Sequence, residues 1–369
     1  MKKIALSNIN ALYDEISSLC ELYLPVLTAG ALNYQKYAKG ARVDLNGQTV
    51  KSAKEVFFPQ SETLIDFKVT NDNIEIKDAR GVKDLFVVFG VRACDQRSFE
   101  ILDRVFLADP VDTGYQNKRE AGVVITLACN SPVQSCFCKN FGIDASSPKG
   151  DIESRIANGY LYLEPLTEKG KKLFDKLTVL DCCDEADEKA ADDNKKEITA
   201  KIDALPLSGL DLSEFKGENL MPLFNRPEWD ELSEACLGCG ACTFVCPTCQ
   251  CFDIKDYKTN NGVQRYRCWD SCMYSDFTKM AAANPRTTQM QRYRQRFMHK
   301  LVYFPANNDG IYSCVGGGRC VKKCPQSLNI VKVIKKLGGN KNDYRSFNSQ
   351  SRRNNRYKKR HARRKNVQG

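Results

Sequence analysis

The sequence predicts an α+β protein, because two different patterns occupy its two halves. In the N-terminal half, continuous apolar runs at 85–91 and 122–128 flank a helical pattern, and this order is typical of an α/β domain with some parallel sheet. From residue 236 onward, cysteines follow the spacing C-x2-C-x2-C-x3-C-P, which is typical of a bacterial-type dicluster ferredoxin-like module. The predicted units are an N-terminal α/β domain (1–225), a dicluster ferredoxin-like domain (226–337) with a helical insertion (247–313), and a basic, disordered tail (338–369).

Apolar periodicity predicts the individual elements of the N-terminal half. Residues 4–27 are expected to form an amphipathic helix, because Ile9, Leu12, Ile16 and Leu19 recur at helical spacing. Alternating stretches predict strands at 41–45, 66–70 and 73–76. Buried strands are expected at 85–91 and 122–128, with a helix between them whose apolar positions are Phe99, Leu102, Val105 and Phe106. The acidic, lysine-rich segment 184–202 lacks aromatic residues and predicts an exposed excursion.

The segment 236–247 carries the strongest functional signal. It contains Cys236, Cys239, Cys242 and Cys246, followed by a proline. Two glycines in the loop allow the backbone to bend around a cluster and let its N–H groups approach the sulfides. A zinc ribbon is the alternative, but it normally shows two separated C-x2-C pairs rather than three consecutive spacings and a C-P. The pattern therefore favours an iron–sulfur site.

A second, incomplete copy of the motif lies at 314–325, where Gly317 stands at the position of the expected second cysteine. In two-cluster modules the fourth cysteine of each motif binds the other cluster. Cluster 1 is therefore predicted to use Cys236, Cys239, Cys242 and Cys324. Cluster 2 is predicted to use Cys246, Cys314 and Cys320, with the fourth ligand coming from Cys249, Cys251 or Cys272. Three outcomes stay open for cluster 2: a [3Fe-4S] cluster, a [4Fe-4S] cluster closed by another ligand, or an empty remnant.

A third candidate metal site lies in the N-terminal half. Cys94 follows one predicted buried strand and Cys129 follows the next, and parallel strands place such residues at the same carboxyl edge of a sheet. Cys136 and Cys138 follow within one short loop. These four cysteines could bind a third [4Fe-4S] cluster or a zinc ion, although small buried cysteines often only pack. We predict a metal site.

The insertion ends in a basic helical stretch at 289–304. Its apolar positions are Met290, Tyr293, Phe297 and Leu301, and its basic positions are Arg292, Arg294, Arg296 and Lys300. Together with the tail, this helix allows an alternative function as a zinc-stabilised nucleic-acid-binding protein. The preferred interpretation has the helix packed on the cluster domain, with its arginines bridging to a partner subunit.

Composition places limits on compartment and on chemistry. The chain has 369 residues, 18 cysteines and no apolar segment long enough to span a bilayer. Without an export signal, so many cysteines indicate reduced thiols that bind metal, and we expect a cytoplasmic protein of an anaerobe. Ten basic residues in 345–369 account for nearly all of the net charge of +11. Two histidines leave little scope for general-base catalysis.

Several segments together resemble a known family, which includes the beta subunit of cytosolic sulfhydrogenases and the iron–sulfur subunit of anaerobic sulfite reductase. They are 89–95 (FGVRACD), 136–138 (CFC), 246–253 (CPTCQCFD), 269–272 (WDSC) and 284–286 (NPR). The resemblance implies a dicluster module that passes electrons from an FAD- and NAD(P)H-binding reductase subunit to a catalytic subunit, or in the reverse direction. The catalytic subunit would be a sirohaem sulfite reductase or a hydrogenase. Gly317 departs from the family pattern, which has cysteine there.

These observations predict an electron-transfer subunit of an oxidoreductase complex rather than an enzyme that converts a small substrate itself. The expected cofactors are two [4Fe-4S] clusters, the second with [3Fe-4S] as its alternative, and a third [4Fe-4S] cluster at the N-terminal cysteines. Neither a dinucleotide-binding fingerprint nor a phosphate-binding loop occurs in the sequence. A self-sufficient reductase with an open cluster site at Gly317 is a further alternative.

Overall fold

Two β-sheets form the framework of the protein in the computed structural model, which describes residues 1–70, 73–81, 83–260 and 262–338. The strands are β1 (Lys2–Ala5), β2 (Glu21–Thr28), β3 (Ala31–Lys36), β4 (Ser61–Val69), β5 (Ile74–Asp78), β6 (Phe86–Val91), β7 (Gly122–Leu127), β8 (Ile152–Ala157), β9 (Tyr160–Pro165), β10 (Asp181–Cys182), β11 (Phe252–Thr259) and β12 (Gly262–Trp269). The predicted tail, from 339 onward, lies outside the described residues.

The larger sheet has eight strands in the order β10-β1-β9-β8-β7-β6-β2-β3. Its centre, β2-β6-β7-β8, is parallel, and the outer pairs are antiparallel. Every residue of β6 and β7 is buried, as expected for parallel strands that are covered on both faces. The predicted strands at 85–91 and 122–128 are therefore confirmed, and their ends lie side by side at one edge of the sheet.

The smaller sheet joins distant parts of the sequence. Its antiparallel order is β11-β12-β4-β5, so a hairpin from the predicted insertion pairs with two strands from the N-terminal half. Trp269, at the end of β12, stacks on Phe58 at a centroid distance of 5.9 Å and donates from its indole N–H to the Phe58 carbonyl at 3.1 Å. This hairpin therefore fastens the cysteine-rich half to the N-terminal half.

The helices cover both faces of the larger sheet and form most of the C-terminal half. They are α1 (Ile9–Leu19), α2 (Lys54–Phe57), α3 (Ala93–Phe106), α4 (Thr113–Ala121), α5 (Glu168–Phe174), α6 (Glu185–Asp203), α7 (Leu220–Phe224), α8 (Glu228–Ser233), α9 (Ala241–Phe244), α10 (Gln289–Met298), α11 (Phe304–Ala306), α12 (Arg319–Lys323) and α13 (Ile330–Leu337). A π-helical turn, His299–Tyr303, joins α10 to α11. The mixture of sheets and helices confirms the predicted α+β class.

Separate apolar cores support the two halves. On one face of the larger sheet, α1 contributes Leu12 and Ile16, and on the other face α3 contributes Phe99 and Leu102. In the C-terminal half, α8, α10 and α13 pack together around Trp229. The largest aromatic and aliphatic side chains there are fully buried, so the cysteine-bearing loops rest on a rigid base.

Three predictions about local structure were wrong. The α-helix in the region 4–27 is limited to α1, which a 3-10 turn at Leu6–Asn8 precedes, and the residues on either side form β1 and β2. Residues 41–45 form no strand, only an isolated bridge between Val43 and Val26. The segment 184–202 is not a loose excursion but the helix α6, which begins with a capping box at Asp184 and packs on β8. Its buried positions include Ile198 and Ile202.

None of the described helices is both long enough and apolar enough to span a membrane.

Candidate metal centres

The four cysteines predicted for cluster 1 line a single pocket. We call Cys236, Cys239, Cys242 and Cys324 the first cysteine group. The remaining lining residues include aromatic and aliphatic side chains such as Tyr293 and Phe297, and none of them is charged. Cys239 is exposed, so this group lies at the protein surface.

The loop around the first cysteine group depends on two glycines in the left-handed region, Gly238 (φ +64°) and Gly240 (φ +71°). A Cβ on Gly240 would lie 2.6 Å from the Tyr274 hydroxyl, so a side chain there would be blocked by its neighbour as well as strained. Two donors reach the sulfurs: the Leu328 N–H lies 3.2 Å from Cys324 Sγ, and the Gln289 amide lies 3.5 Å from Cys236 Sγ. Such donors orient thiolate ligands and tune a bound cluster.

Cys246, Cys314 and Cys320 form the second cysteine group. Cys246 and Cys314 are each 8% exposed, and the Cys320 thiol interacts electrostatically with both. Burial raises the pKa of Cys314 to about 11 and that of Cys320 to about 12, so these thiols stay neutral until a metal displaces their protons.

Of the three candidates for the missing ligand, Cys249 contacts a member of the second cysteine group directly. Its thiol contacts that of Cys246, and this contact together with nearby positive charges holds the pKa of Cys246 well below its usual value. Cys251 and Cys272 instead contact each other, and that contact lowers the pKa of Cys251. Cys249 is therefore part of the second group's surroundings, whereas Cys251 and Cys272 form a separate pair.

Three buried cations surround the turn from Cys246 to Cys249. Lys54 donates to the carbonyl groups of both residues at 3.2 and 2.8 Å and lies 3.7 Å from the centroid of the Trp269 ring. The guanidinium Nη1 of Arg296 lies 3.3 Å from Cys249 Sγ. Lys300 Nζ donates to the side chain of Thr248 at 2.7 Å. Burial lowers the pKa of Lys54 to about 8.

The four N-terminal cysteines also line one cavity. We call Cys94, Cys129, Cys136 and Cys138 the third cysteine group. Cys94 is the second residue of α3, three residues after the end of β6, and Cys129 lies two residues after the end of β7, so both lie at the carboxyl edge of the parallel strands. Burial raises the pKa of all four thiols, that of Cys138 to about 12.

Gly317 lines the cavity of the third cysteine group, and a Cβ built on it would lie 3.5 Å from Cys94 Sγ. Its neighbours Gly316 and Gly318 have positive φ, and a Cβ on either would lie within 2.5 Å of the backbone of the loop 135–138. The Phe137 N–H donates to the Gly316 carbonyl at 2.8 Å. The three glycines therefore let two cysteine-bearing loops approach at backbone distance.

A buried ion pair joins the second and third cysteine groups. Arg319, which precedes Cys320, donates to both carboxylate oxygens of Asp95, which follows Cys94, at 2.6 and 2.7 Å. The same guanidinium donates to the carbonyl and the hydroxyl of Thr49, both at 2.9 Å. The ligand-bearing segments of the two groups are thus held in a fixed relation.

The donor sets fit polynuclear clusters. In the described part of the chain, no three His, Cys, Asp or Glu side chains gather tightly enough to hold a single metal ion. The thiols of the first and third groups instead line the walls of cavities. Four buried donors near the groups have no acceptor among the described residues: the hydroxyls of Tyr293, Ser135 and Ser313 and Nε of Arg296. Cluster sulfides and ligand sulfurs are acceptors that would satisfy such donors.

Sequence reasoning missed most of the charged residues at these sites. Arg296 and Lys300 were assigned to the polar face of the basic helix, yet they are 2% and 3% exposed and point toward the cysteines. Their spacing of four residues was the available signal, because it places both on one helical face. Arg319 lies one residue from a predicted ligand, but nothing in the sequence indicates Lys54.

Two comparisons with known proteins bear on these centres. Residues 235–328 match the family model of a 4Fe-4S dicluster domain. Over 336 residues the chain is 28% identical to sulfhydrogenase 2 subunit beta of Pyrococcus furiosus, with 87% of this chain and 93% of that relative aligned. No solved structure matches the chain. The predicted resemblance is confirmed, and the chain is an iron–sulfur protein with a C-terminal 4Fe-4S dicluster domain.

Proposed function

We propose that this chain is the electron-relay subunit of a sulfhydrogenase-type complex and that it holds three iron–sulfur clusters. Cluster 1 would be held by the first cysteine group. Cluster 2 would be held by the second cysteine group with Cys249 as fourth ligand, and a third [4Fe-4S] cluster by the third cysteine group. When bound, such clusters accept and release one electron at a time. The dicluster ferredoxin-like module and its insertion, 226–337, would carry the first two.

The observation that carries this proposal is the physical connection between the three cysteine groups. Cys242 of the first group and Cys246 of the second group lie at the start and just beyond the end of the short helix α9. The glycines of 316–318 and the Arg319–Asp95 pair connect the second group with the third. Cysteines that only fill space would not need charged and glycine-lined connections of this kind. These contacts connect the first group to the second and the second to the third, and this supports a relay that begins near the exposed Cys239 and continues toward the N-terminal half.

The similarity to a sulfhydrogenase subunit favours a hydrogenase as the catalytic partner over a sirohaem sulfite reductase. An FAD- and NAD(P)H-binding reductase subunit would be the second partner, because the sequence contains no nucleotide-binding fingerprint of its own. The described residues offer no constellation that would convert a small substrate. The role proposed for the chain is therefore electron transfer between partners.

The test is anaerobic isolation of the full chain together with the subunits that co-purify with it. We expect about twelve iron atoms and a similar amount of acid-labile sulfide per chain, four for each cluster. We also expect reduction of the chain by a flavin-containing partner and no steady-state turnover by the chain alone. Zinc in place of iron, or turnover of a small substrate by the isolated chain, would contradict the proposal.

Replacing Cys249 by serine tests the ligand assigned to the second cluster. Because Cys249 is the candidate thiol in contact with Cys246, its loss is expected to remove between about one and about four iron atoms per chain. A three-iron product would show a new EPR signal in the oxidised protein. Iron analysis and EPR of the anaerobic protein measure both effects.

Cys251→Ser and Cys272→Ser are the matched controls, and both should keep full iron content. Gly317→Cys should also leave the second cluster unchanged, because the new side chain would point toward Cys94. If the Cys251 or Cys272 variant loses iron and Cys249→Ser loses none, the fourth ligand is a member of the Cys251/Cys272 pair and not Cys249.

A further inference from the structure

We propose that Lys300 and Arg296 are positioning residues that raise the reduction potential of the cluster held by the second cysteine group. This inference rests on the proposed function, because it requires that cluster to be present. It concerns two side chains that the cysteine motifs do not include. Both belong to the basic helical stretch that was expected to face a partner subunit.

Lys300 is fixed against the residue that precedes Cys314. Its Nζ donates to the Ser313 carbonyl at 2.9 Å, and its own carbonyl accepts from the Ser313 N–H at 3.0 Å. Nζ also donates to Thr248, whose hydroxyl lies 3.3 Å from Cys246 Sγ. Lys300 lies in the π-helical turn, a conformation that is rare and frequently found at functional sites. The ammonium group is thus held between two ligands of the second group.

Arg296 lies one helical turn earlier and contacts both Cys242 of the first group and Cys249, the proposed fourth ligand of the second cluster. Its Nη1 lies 3.3 Å from Cys249 Sγ, and its Nη2 donates to the Cys242 carbonyl at 2.8 Å. Its Nε is buried and has no acceptor among the described residues. An arginine with one unused donor at this position is suited to a further acceptor on the ligand side, such as a cluster sulfur.

The charges of Arg296 and Lys300 are not cancelled by carboxylates, since neither forms an ion pair with Asp or Glu in the described part of the chain. The other two groups differ in this respect. The cavity of the first group has no charged lining residue. At the third group Arg319 is paired with Asp95, whereas the half-buried Arg92 forms no ion pair in the described part of the chain and donates to two backbone carbonyl groups. Fully buried cations without a carboxylate partner are therefore concentrated at the second group, where Lys54 lies beside Arg296 and Lys300.

A buried positive charge stabilises whichever oxidation state is more negative. Reduction adds one negative charge to a cluster and its thiolates, so fixed cations nearby favour the reduced state and raise the potential. Because both side chains are almost completely buried, water screens this effect only weakly. Lys300 acts on the second group, whereas Arg296 acts on the second and, through Cys242, on the first.

The experiment compares Lys300→Gln and Arg296→Gln with the unchanged chain by EPR-monitored redox titration of the anaerobic holoprotein. Glutamine keeps a donor in place of each cation but removes the charge. We expect each variant to lower the equilibrium constant for reduction of the second cluster by at least about tenfold, equivalent to about 59 mV for one electron. Arg296→Gln should also lower that of the first cluster. Cys320→Ser identifies the signal of the second cluster by its loss.

Arg294→Gln is the matched control. Arg294 lies on the same helix but stacks on the Phe224 ring at 3.6 Å, away from the cysteines, so its loss should leave the potentials unchanged. A full complement of iron with unchanged potentials in both test variants would overturn this inference and leave the proposed function intact. Absence of iron from the unchanged chain would overturn the proposed function itself. Lys300→Gln could prevent assembly of the second cluster. In that case, assembly of the second cluster in Lys300→Arg would support a role for the positive charge, and failure of Lys300→Arg to assemble the cluster would overturn that role.

Discussion

Replacing Cys136 and Cys138 together by serine is expected to remove about one third of the iron, from about twelve to about eight atoms per chain. Both thiols line the cavity of the third cysteine group, and both are buried. Two of four ligands would be lost at once, and a serine hydroxyl is a poor substitute for a thiolate. Iron and acid-labile sulfide analysis of the anaerobically isolated chain measures the effect, and EPR of the reduced protein should lose one cluster signal.

The matched control is the double substitution of Cys182 and Cys183 by serine, which also removes two neighbouring thiols. Cys182 is exposed in the edge strand β10 and lines neither cysteine cavity, so the iron content should not change. Unchanged iron and unchanged EPR in the Cys136/Cys138 variant would show that these are ordinary packing cysteines. The first two clusters would be unaffected by that result, because their ligands lie in other loops.

The third cysteine group could be predicted because its geometry follows from strand order. Cys94 and Cys129 come directly after two adjacent parallel strands, and the rule that such ends meet at one edge needs no knowledge of the rest of the fold. The C-x-C pair then reaches the same edge through a short loop. Three cysteines of the first group were equally accessible, because their spacing is a local property of one glycine-containing loop. Cys324 followed from the rule that the fourth cysteine of each motif binds the other cluster.

The surroundings of the second group could not be predicted in the same way. Lys54 contacts the carbonyl groups of Cys246 and Cys249 from about 190 residues away, and no local pattern encodes such a contact. The position of Gly317 also depends on packing between two loops that are distant in sequence. The motif alone could place Gly317 only at the position of the missing cysteine ligand of the second cluster.

Helical periodicity predicted the apolar positions of α10 correctly but not the surroundings of its charged residues. It identified the buried positions Tyr293 and Phe297 correctly, but it assigned every charged residue to a solvent or partner face. That rule assumes an apolar core, where a buried charge is costly. Beside cysteines that bind a cluster as thiolates, as proposed above, the opposite would hold, because the negative site would stabilise buried cations such as Arg296. The error thus occurred where the core is chemically unusual.

Replacing Asp95 by asparagine is expected to destabilise the contact between the second and third cysteine groups by about 3–5 kcal/mol. Asp95 is fully buried and accepts two hydrogen bonds from Arg319, which is itself 5% exposed. Asparagine keeps the shape but leaves the guanidinium without a counter-charge, and a buried, unpaired cation is much more costly than a broken surface pair. Anaerobic urea titration of the holoprotein, followed by circular dichroism, measures the shift in the unfolding midpoint.

Asp309→Asn provides the comparison for a pair of the same chemistry at the surface. Its partner Arg104 lies 2.9 Å away, but the Asp309 side chain is 81% exposed, so the loss should be no more than about 1 kcal/mol. Equal shifts for the two variants would show that the buried pair does not stabilise the junction. The double variant Asp95→Leu with Arg319→Met separates charge from packing, because removing both partners of a buried pair often costs little. If the unfolding midpoint recovers in the double variant, the destabilisation in Asp95→Asn is caused by the unpaired charge of Arg319. Faster hydrogen exchange at 316–320 in Asp95→Asn would show that the destabilised contact lies between the two cysteine-bearing loops.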